Sequence, residues 1–199
     1  MNKFGQTLII LLLGIAIGGT YHDDLQLAVN KLIGFTNSET VSKVNQIELD
    51  EIKGSGSKVS ICFTPSENCG QLIVDQINQA KSTIYMQAYG LTHPQIINAL
   101  IKAKQRGVGV RVLLDRSNLT QKHSKMQLLE AAGIEVTIDK VPGIAHNKII
   151  ILDHHTTITG SFNFTVGAST RNAENVLIIN DSNVARSYLQ NWQYRKAAN

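Results

Sequence analysis

The chain has 199 residues, 43% of them hydrophobic and 17% charged. That suits one domain plus an extension and excludes an intrinsically disordered chain. The formal net charge of +4 is unevenly placed: residues 1–57 hold four Lys/Arg and six Asp/Glu, whereas residues 58–199 hold fifteen and nine, a balance of −2 against +6. A basic main domain suits a polyanion or an acidic membrane surface, and two cysteines are too few for a zinc site.

Lys3 precedes an apolar run from Leu8 to Ile17, closed by Gly18-Gly19. The run is short for a membrane span and fits a secretory signal, with small residues at Ala16 and Gly18 for cleavage; the competing reading is a retained anchor. Residues 1–20 are therefore expected to be a signal peptide or membrane tether, and the protein to be exported, periplasmic or membrane-anchored. Residues 21–57 read as a polar linker with a short amphipathic helix over 23–33, ending in the flexible joint Gly54-Ser55-Gly56-Ser57. In an oxidising compartment Cys62 and Cys69 pair across a short loop; otherwise they are two small buried apolar residues.

From residue 58 to 199 the pattern alternates between strand and helix. Val59 to Phe63 is a strand closed by Thr64-Pro65. Gly70 to Ala80 has helical apolar spacing, and Ser82 to Ala88 is a strand. Thr92 is placed to cap a helix opened by His93-Pro94 and running to Lys104. Val108 to Leu114 is β-rich, Ser124 to Ala132 helical, and Ile134 to Ile138 a strand. Lys148 to Leu152 and Thr156 to Thr159 form a hairpin around Asp153-His154-His155. Asn175 to Ile179 is the last strand and Ser182 to Lys196 the closing helix. This order predicts an α/β fold, an α-β-α sandwich around a mixed sheet, with the hairpin as its antiparallel part.

The chemistry concentrates in His146-Asn147-Lys148, Asp153 and Gly160-Ser161-Phe162-Asn163. In an extended segment His146 and Lys148 project to one face, because side chains alternate. A cation beside an imidazole favours the neutral, nucleophilic ring and attracts a phosphate oxygen. Ser161 and Asn163, also two apart, offer a hydroxyl and an amide to the other oxygens, and a Gly-Ser-Asn loop admits an anion closely.

These residues resemble the signature of the phospholipase D superfamily, His-x-Lys-x4-Asp-x6-Gly-Ser-x-Asn, with every spacing kept at His146, Lys148, Asp153, Gly160, Ser161 and Asn163. Asn172-Ala173-Glu174-Asn175, Tyr85-Met86-Gln87-Ala88-Tyr89 and Ala103 to Val108 extend the resemblance over residues 58–196, toward the small single-motif nucleases. The resemblance implies that His146 attacks phosphorus and forms a phosphohistidine, while a second histidine protonates the leaving oxygen and then activates water. It implies that Lys148, Ser161 and Asn163 hold the phosphate, and that Glu174 hydrogen-bonds the histidine and fixes its tautomer. Gly160 and Asp153 support the site, Asp153 being as much a turn former as a catalytic group. One motif per chain implies a homodimer with both His146 residues meeting at the two-fold axis. No metal and no cofactor are expected.

His123-Ser124-Lys125 lacks the downstream pattern and reads as surface; His154 and His155 read as a solvated turn or a groove rim, and His93 as a helix start. Lys102, Lys104, Arg106 and Arg111 form either a basic strip or solvated faces. Arg171 is the candidate substrate-backbone contact, and Trp192 is expected in the core. The sequence thus favours an endonuclease acting on DNA or RNA, with a phospholipase D releasing phospholipid head groups as the alternative and a non-catalytic, membrane-tethered nucleic-acid-binding protein as the third reading.

Overall fold

The computed structural model describes residues 56–121 and 124–199. The signal or anchor expected over 1–20, nearly all of the linker and His123 lie outside the described residues. Among the described residues no helix is long and apolar enough to cross a membrane.

The elements in chain order are β1 (Lys58–Thr64), α1 (Cys69–Gln79), β2 (Thr83–Ala88), α2 (Pro94–Gln105), β3 (Gly109–Asp115), a 3-10 turn (Arg116–Leu119), α3 (Met126–Ala131), β4 (Glu135–Asp139), β5 (Lys148–Leu152), β6 (Thr156–Gly160), α4 (Val166–Thr170), β7 (Glu174–Asn180) and α5 (Ser182–Ala197). The seven strands form one mixed sheet in the order β1-β7-β6-β5-β2-β3-β4. β2, β3 and β4 run parallel; β5, β6, β7 and β1 follow antiparallel. The antiparallel part is therefore larger than the hairpin expected from the sequence, because β1 returns across the molecule to pair with β7.

Alternation of side chains divides the core in two. Ile84, Met86, Val110, Val112, Ile150 and Leu152 face the helices α1 and α2, where Ile73, Ile77, Ile96 and Leu100 are buried. Leu113, Ile149 and Ile151 face α5 and meet Ala185, Leu189 and Trp192. Strands buried on both faces read as continuous apolar runs, as Ile149 to Leu152 do. Each such fully buried side chain contributes about 1.5–3 kcal/mol. The result is the α-β-α sandwich that the element order predicted.

Thr92 is not the cap of α2. His93 takes that position without a side-chain cap, with Pro94 opening the helix. The backbone N–H groups of Thr92 and His93 both donate to the Phe164 carbonyl, which fixes the entry instead. A disulfide joins Cys62 on β1 to Cys69 at the start of α1.

Candidate active site

The strand directions bring one set of ends together. Lys148 at the start of β5 lies beside Ala88 at the end of β2. Gly160 at the end of β6 pairs with Val176, and Glu174 at the start of β7 pairs with Thr64. The loops carrying His146, Asn163 and Glu174 therefore leave the sheet at the same end.

The loop before His146 is fixed from below. Asp115, fully buried at the end of β3, accepts hydrogen bonds from the N–H groups of Ala145 (2.7 Å) and Ser117 (2.9 Å). Burial alone would raise its carboxyl pKa; the hydrogen bonds and the nearby Arg116 outweigh it and leave the pKa lowered. Arg116 donates to the carbonyls of Pro142 (2.8 Å) and Gly143 (2.9 Å). The N–H of Tyr89 donates to the Asn147 carbonyl at 3.1 Å.

On this support the His146 ring stands exposed and meets the ring of Tyr89 edge-on, centroids 4.8 Å apart. Lys148 is only 8% exposed. Its ammonium donates to the His146 carbonyl at 2.7 Å and lies 5.6 Å from the centre of the Tyr89 ring. Burial lowers its pKa, an effect opposed by the charge of Glu174. No carboxylate hydrogen-bonds this ammonium among the described residues, so a largely buried lysine reaches the accessible His146 without an acidic hydrogen-bond partner.

The second half of the site hangs on Gly160. Its φ of +141° and its approach to Asn175 exclude any side chain, since a Cβ would lie 2.3 Å from the Asn175 carbonyl oxygen. Ser161 then donates its hydroxyl to Glu174 at 2.6 Å and accepts from the Asn175 N–H at 3.1 Å. Glu174 also accepts from Asn172 Nδ2 at 2.9 Å, and its N–H reaches Thr64 Oγ1 at 3.2 Å. The Glu174 carboxylate is thus engaged by Ser161 and Asn172, and within one chain it makes no hydrogen bond to His146. Asn163 has its Oδ1 buried without a partner. Its side-chain amide donates to nothing among the described residues.

The fold brings together His146, Lys148, Ser161, Asn163 and Glu174, and it sets Asp153 apart. Asp153 closes β5 at the end opposite Lys148, five residues away and therefore about 17 Å. There, at φ 51°, its carboxylate accepts from the N–H groups of Lys81, Ser82 and Thr83 and from the Ser82 hydroxyl, at 2.8–2.9 Å. Desolvation would raise its pKa, but these donors hold it lowered. Its role is to fasten the β5–β6 turn to the start of β2. His154 and His155 share that far end, with His155 Nδ1 2.9 Å from Ser182 Oγ, so neither rims the site.

His93 is buried at the start of α2, and burial lowers its pKa. The four basic residues make no single strip: Lys102 and Lys104 lie on α2, Arg106 donates to the Ile77 carbonyl at 3.1 Å, and Arg111 pairs with Glu135 on the opposite face. Arg171 is exposed at the end of α4. Trp192 is core, its indole N–H donating to the Met86 carbonyl at 2.9 Å. The sequence reading passed over Tyr89, Asp115 and Gln87 as site residues; each reaches the site only through strand pairing, and no spacing rule exposes that.

A family model described as "Cardiolipin synthase, PLD-like domain" matches residues 73–195. The chain is 50% identical over 198 residues to a phospholipase D of Rickettsia felis, covering 100% of this chain and 98% of that protein. It is 35% identical over 133 residues to the mitochondrial cardiolipin hydrolase of Mus musculus, covering 66% of this chain and 60% of that protein. Among solved structures, Nuc, a phospholipase D family member from Salmonella typhimurium, superposes with a TM-score of 0.67 at 38% identity, over 70% of this chain and 93% of that one.

Proposed function

The chain belongs to the phospholipase D superfamily, and from that membership we propose that it is a phosphodiesterase that releases the head groups of phospholipids through a phosphohistidine at His146. The observation that carries the phosphodiester reading is Lys148. A largely buried lysine whose ammonium has no hydrogen-bonded carboxylate among the described residues favours an anion as its partner, and the place for that anion is beside the exposed ring of His146. The free amide of Asn163 is a second donor, and the Ser161 hydroxyl a third once it turns from Glu174.

In this reading an imidazole nitrogen of His146 bonds to phosphorus as the bond to the leaving oxygen breaks. A second imidazole gives that oxygen its proton. It then takes a proton from water, which attacks phosphorus and breaks the P–N bond. The second imidazole is His146 of a second copy, because the other described histidines are buried or at the far end of the sheet. Glu174 is the group to orient an imidazole brought in by that copy. The charge and the proton transfers are then supplied by side chains.

The lipid substrate is supported by the full-length likeness to proteins named phospholipase D. The positive balance of residues 58–199 and the resemblance to single-motif nucleases favour a second reading, an endonuclease. The purified chain and His146→Ala, each in EDTA, are to be given phospholipid vesicles with and without cardiolipin, DNA and RNA. Head-group release by the wild type alone, reduced on the order of 10⁴-fold or more in the variant, is the expected result. Nucleic-acid cleavage without lipid turnover moves the assignment to the second reading. Turnover that survives His146→Ala overturns both.

A further inference from the structure

The residue between His146 and Lys148 is itself held by a buried polar chain that starts on the last helix. Asn147 Nδ2 donates to Gln87 Oε1 at 3.1 Å, and Gln87 Nε2 donates to Asp139 Oδ2 at 3.1 Å. Asp139 also receives Arg195 Nε at 3.1 Å and a second guanidinium nitrogen of Arg195, and its Oδ1 accepts from the Val141 N–H at 3.2 Å. Gln87 is 2% exposed and Asp139 fully buried.

The chain has a direction. A carboxylate only accepts, so Asp139 compels Gln87 to turn its NH2 group inward and its oxygen toward Asn147. That oxygen compels Asn147 to donate. The Asn147 carbonyl is meanwhile held by the Tyr89 N–H. Residue 147 is thus clamped by side chain and by backbone, and in extended backbone both its neighbours project to the other face of the sheet. A rotation at residue 147 would move His146 and Lys148 together.

We infer that Arg195, Asp139 and Gln87 are positioning residues, a relay that sets His146 and Lys148 through Asn147. Buried polar groups of this kind are tolerated only when fully satisfied, and here they connect α5, β4, β2 and the β4–β5 loop. The same carboxylate also receives the N–H of Val141, the second residue of that loop, so Asp139 holds the loop near both of its ends. A misplacement of about 1 Å costs on the order of a hundredfold in rate. The relay rests on the phosphodiesterase reading of the site, but its geometry can be measured without turnover.

The test is a reversal of the relay. In Gln87→Glu two carboxylates face each other; in Asp139→Asn the Gln87 amide is free to turn over. The double variant restores one carboxylate and one amide in the opposite order, with the new carboxylate accepting from both Asn147 and position 139, while the bond from Arg195 Nε to that atom of residue 139 is lost. With a small soluble phosphodiester, each single variant is expected to lose roughly tenfold to a hundredfold in kcat with KM little changed, and the double variant to regain part of that loss. Asn147→Ala, at an exposed position that spares folding, is expected to lose kcat likewise. In parallel, the ring resonances of His146 are followed by NMR: they should shift in the singles and return in the double.

Lowered melting temperatures with unchanged kcat and unmoved His146 resonances would overturn the relay. A wild type without His146-dependent turnover would instead sink the phosphodiesterase reading, and the resonances would still decide the relay.

Discussion

Asp153 sits at its motif position yet about 17 Å from Lys148, which adjoins the proposed nucleophile His146. Three backbone N–H groups and one hydroxyl converge on its carboxylate. Asp153→Asn keeps the shape and tolerates the positive φ, but loses the charge and points an NH2 group at backbone donors. It should cost about 2 kcal/mol at pH 7, read by urea unfolding, with kcat within about twofold of the wild type because the site is untouched. The pH dependence has a definite sign. The folded pKa is lowered, so the stabilisation is present above the unfolded aspartate value of about 3.9 and is lost as pH falls through the lower folded value. The gap between wild type and variant should therefore close at acid pH. A variant with native stability but a large loss of kcat would return Asp153 to the catalytic group.

Elements decide what the residues of the site can reach. The end of β6 turns on Gly160, where a positive φ and the Asn175 carbonyl leave no room for a side chain. Gly160→Ala forces the strand end away from β7, at about 1–3 kcal/mol for the backbone conformation alone, with the overlap in addition. Ser161 and Asn163 follow that backbone. Thermal unfolding should drop by several degrees, and kcat should fall even well below the new midpoint; an unchanged rate in the folded variant would mean that the 161–163 loop is not held by this turn. The hairpin from Lys148 to Gly160 and the helix from Ser182 were legible in the sequence because their apolar patterns are local. So was the pairing of His146 with Lys148, which needs only alternation. What was not legible depends on partners far along the chain. Tyr89, Gln87 and Asp139 join the site because β2 pairs with both β3 and β5, and β3 in turn with β4. The cap of α2 moved from Thr92 to His93 because Phe164, some seventy residues on, supplies the acceptor. The basic strip failed because Arg111 lies on a strand face opposite Lys102 and Lys104. Asp153 kept its spacing and took the turn-forming one of its two expected roles, since a motif is written along the chain and a strand separates its ends.

At the scale of the molecule two features are unpartnered among the described residues, and they point to the same remedy. The site offers one accessible imidazole among the described residues, where the proposed chemistry needs two, and Glu174 has no histidine to orient. The outer strand β1 presents Val59, Ile61 and Phe63 to solvent, Ile61 with 55% of its surface exposed. They stand across from Ile179, Leu177 and Asn175 of β7. The helix α5 covers this face of the sheet over β2, β4, β5 and β6 and stops short of β1. An exposed apolar edge strand invites association, and a two-fold contact satisfies it with a self-complementary surface. Phe63 lies at the strand end nearest Glu174, so a copy packed on this face approaches the rim of the site. Ile61→Asp places a charge on that face without touching the core. It should leave the fold intact by circular dichroism, halve the mass seen by light scattering, and reduce His146-dependent turnover in proportion to the dimer lost. Leu128→Asp, at an exposed apolar position on α3, should change neither. A wild type that is monomeric and active would show that one imidazole suffices. An Ile61→Asp chain that stays dimeric would move the two-fold contact to another face, and one that becomes monomeric yet keeps full activity would separate association from catalysis.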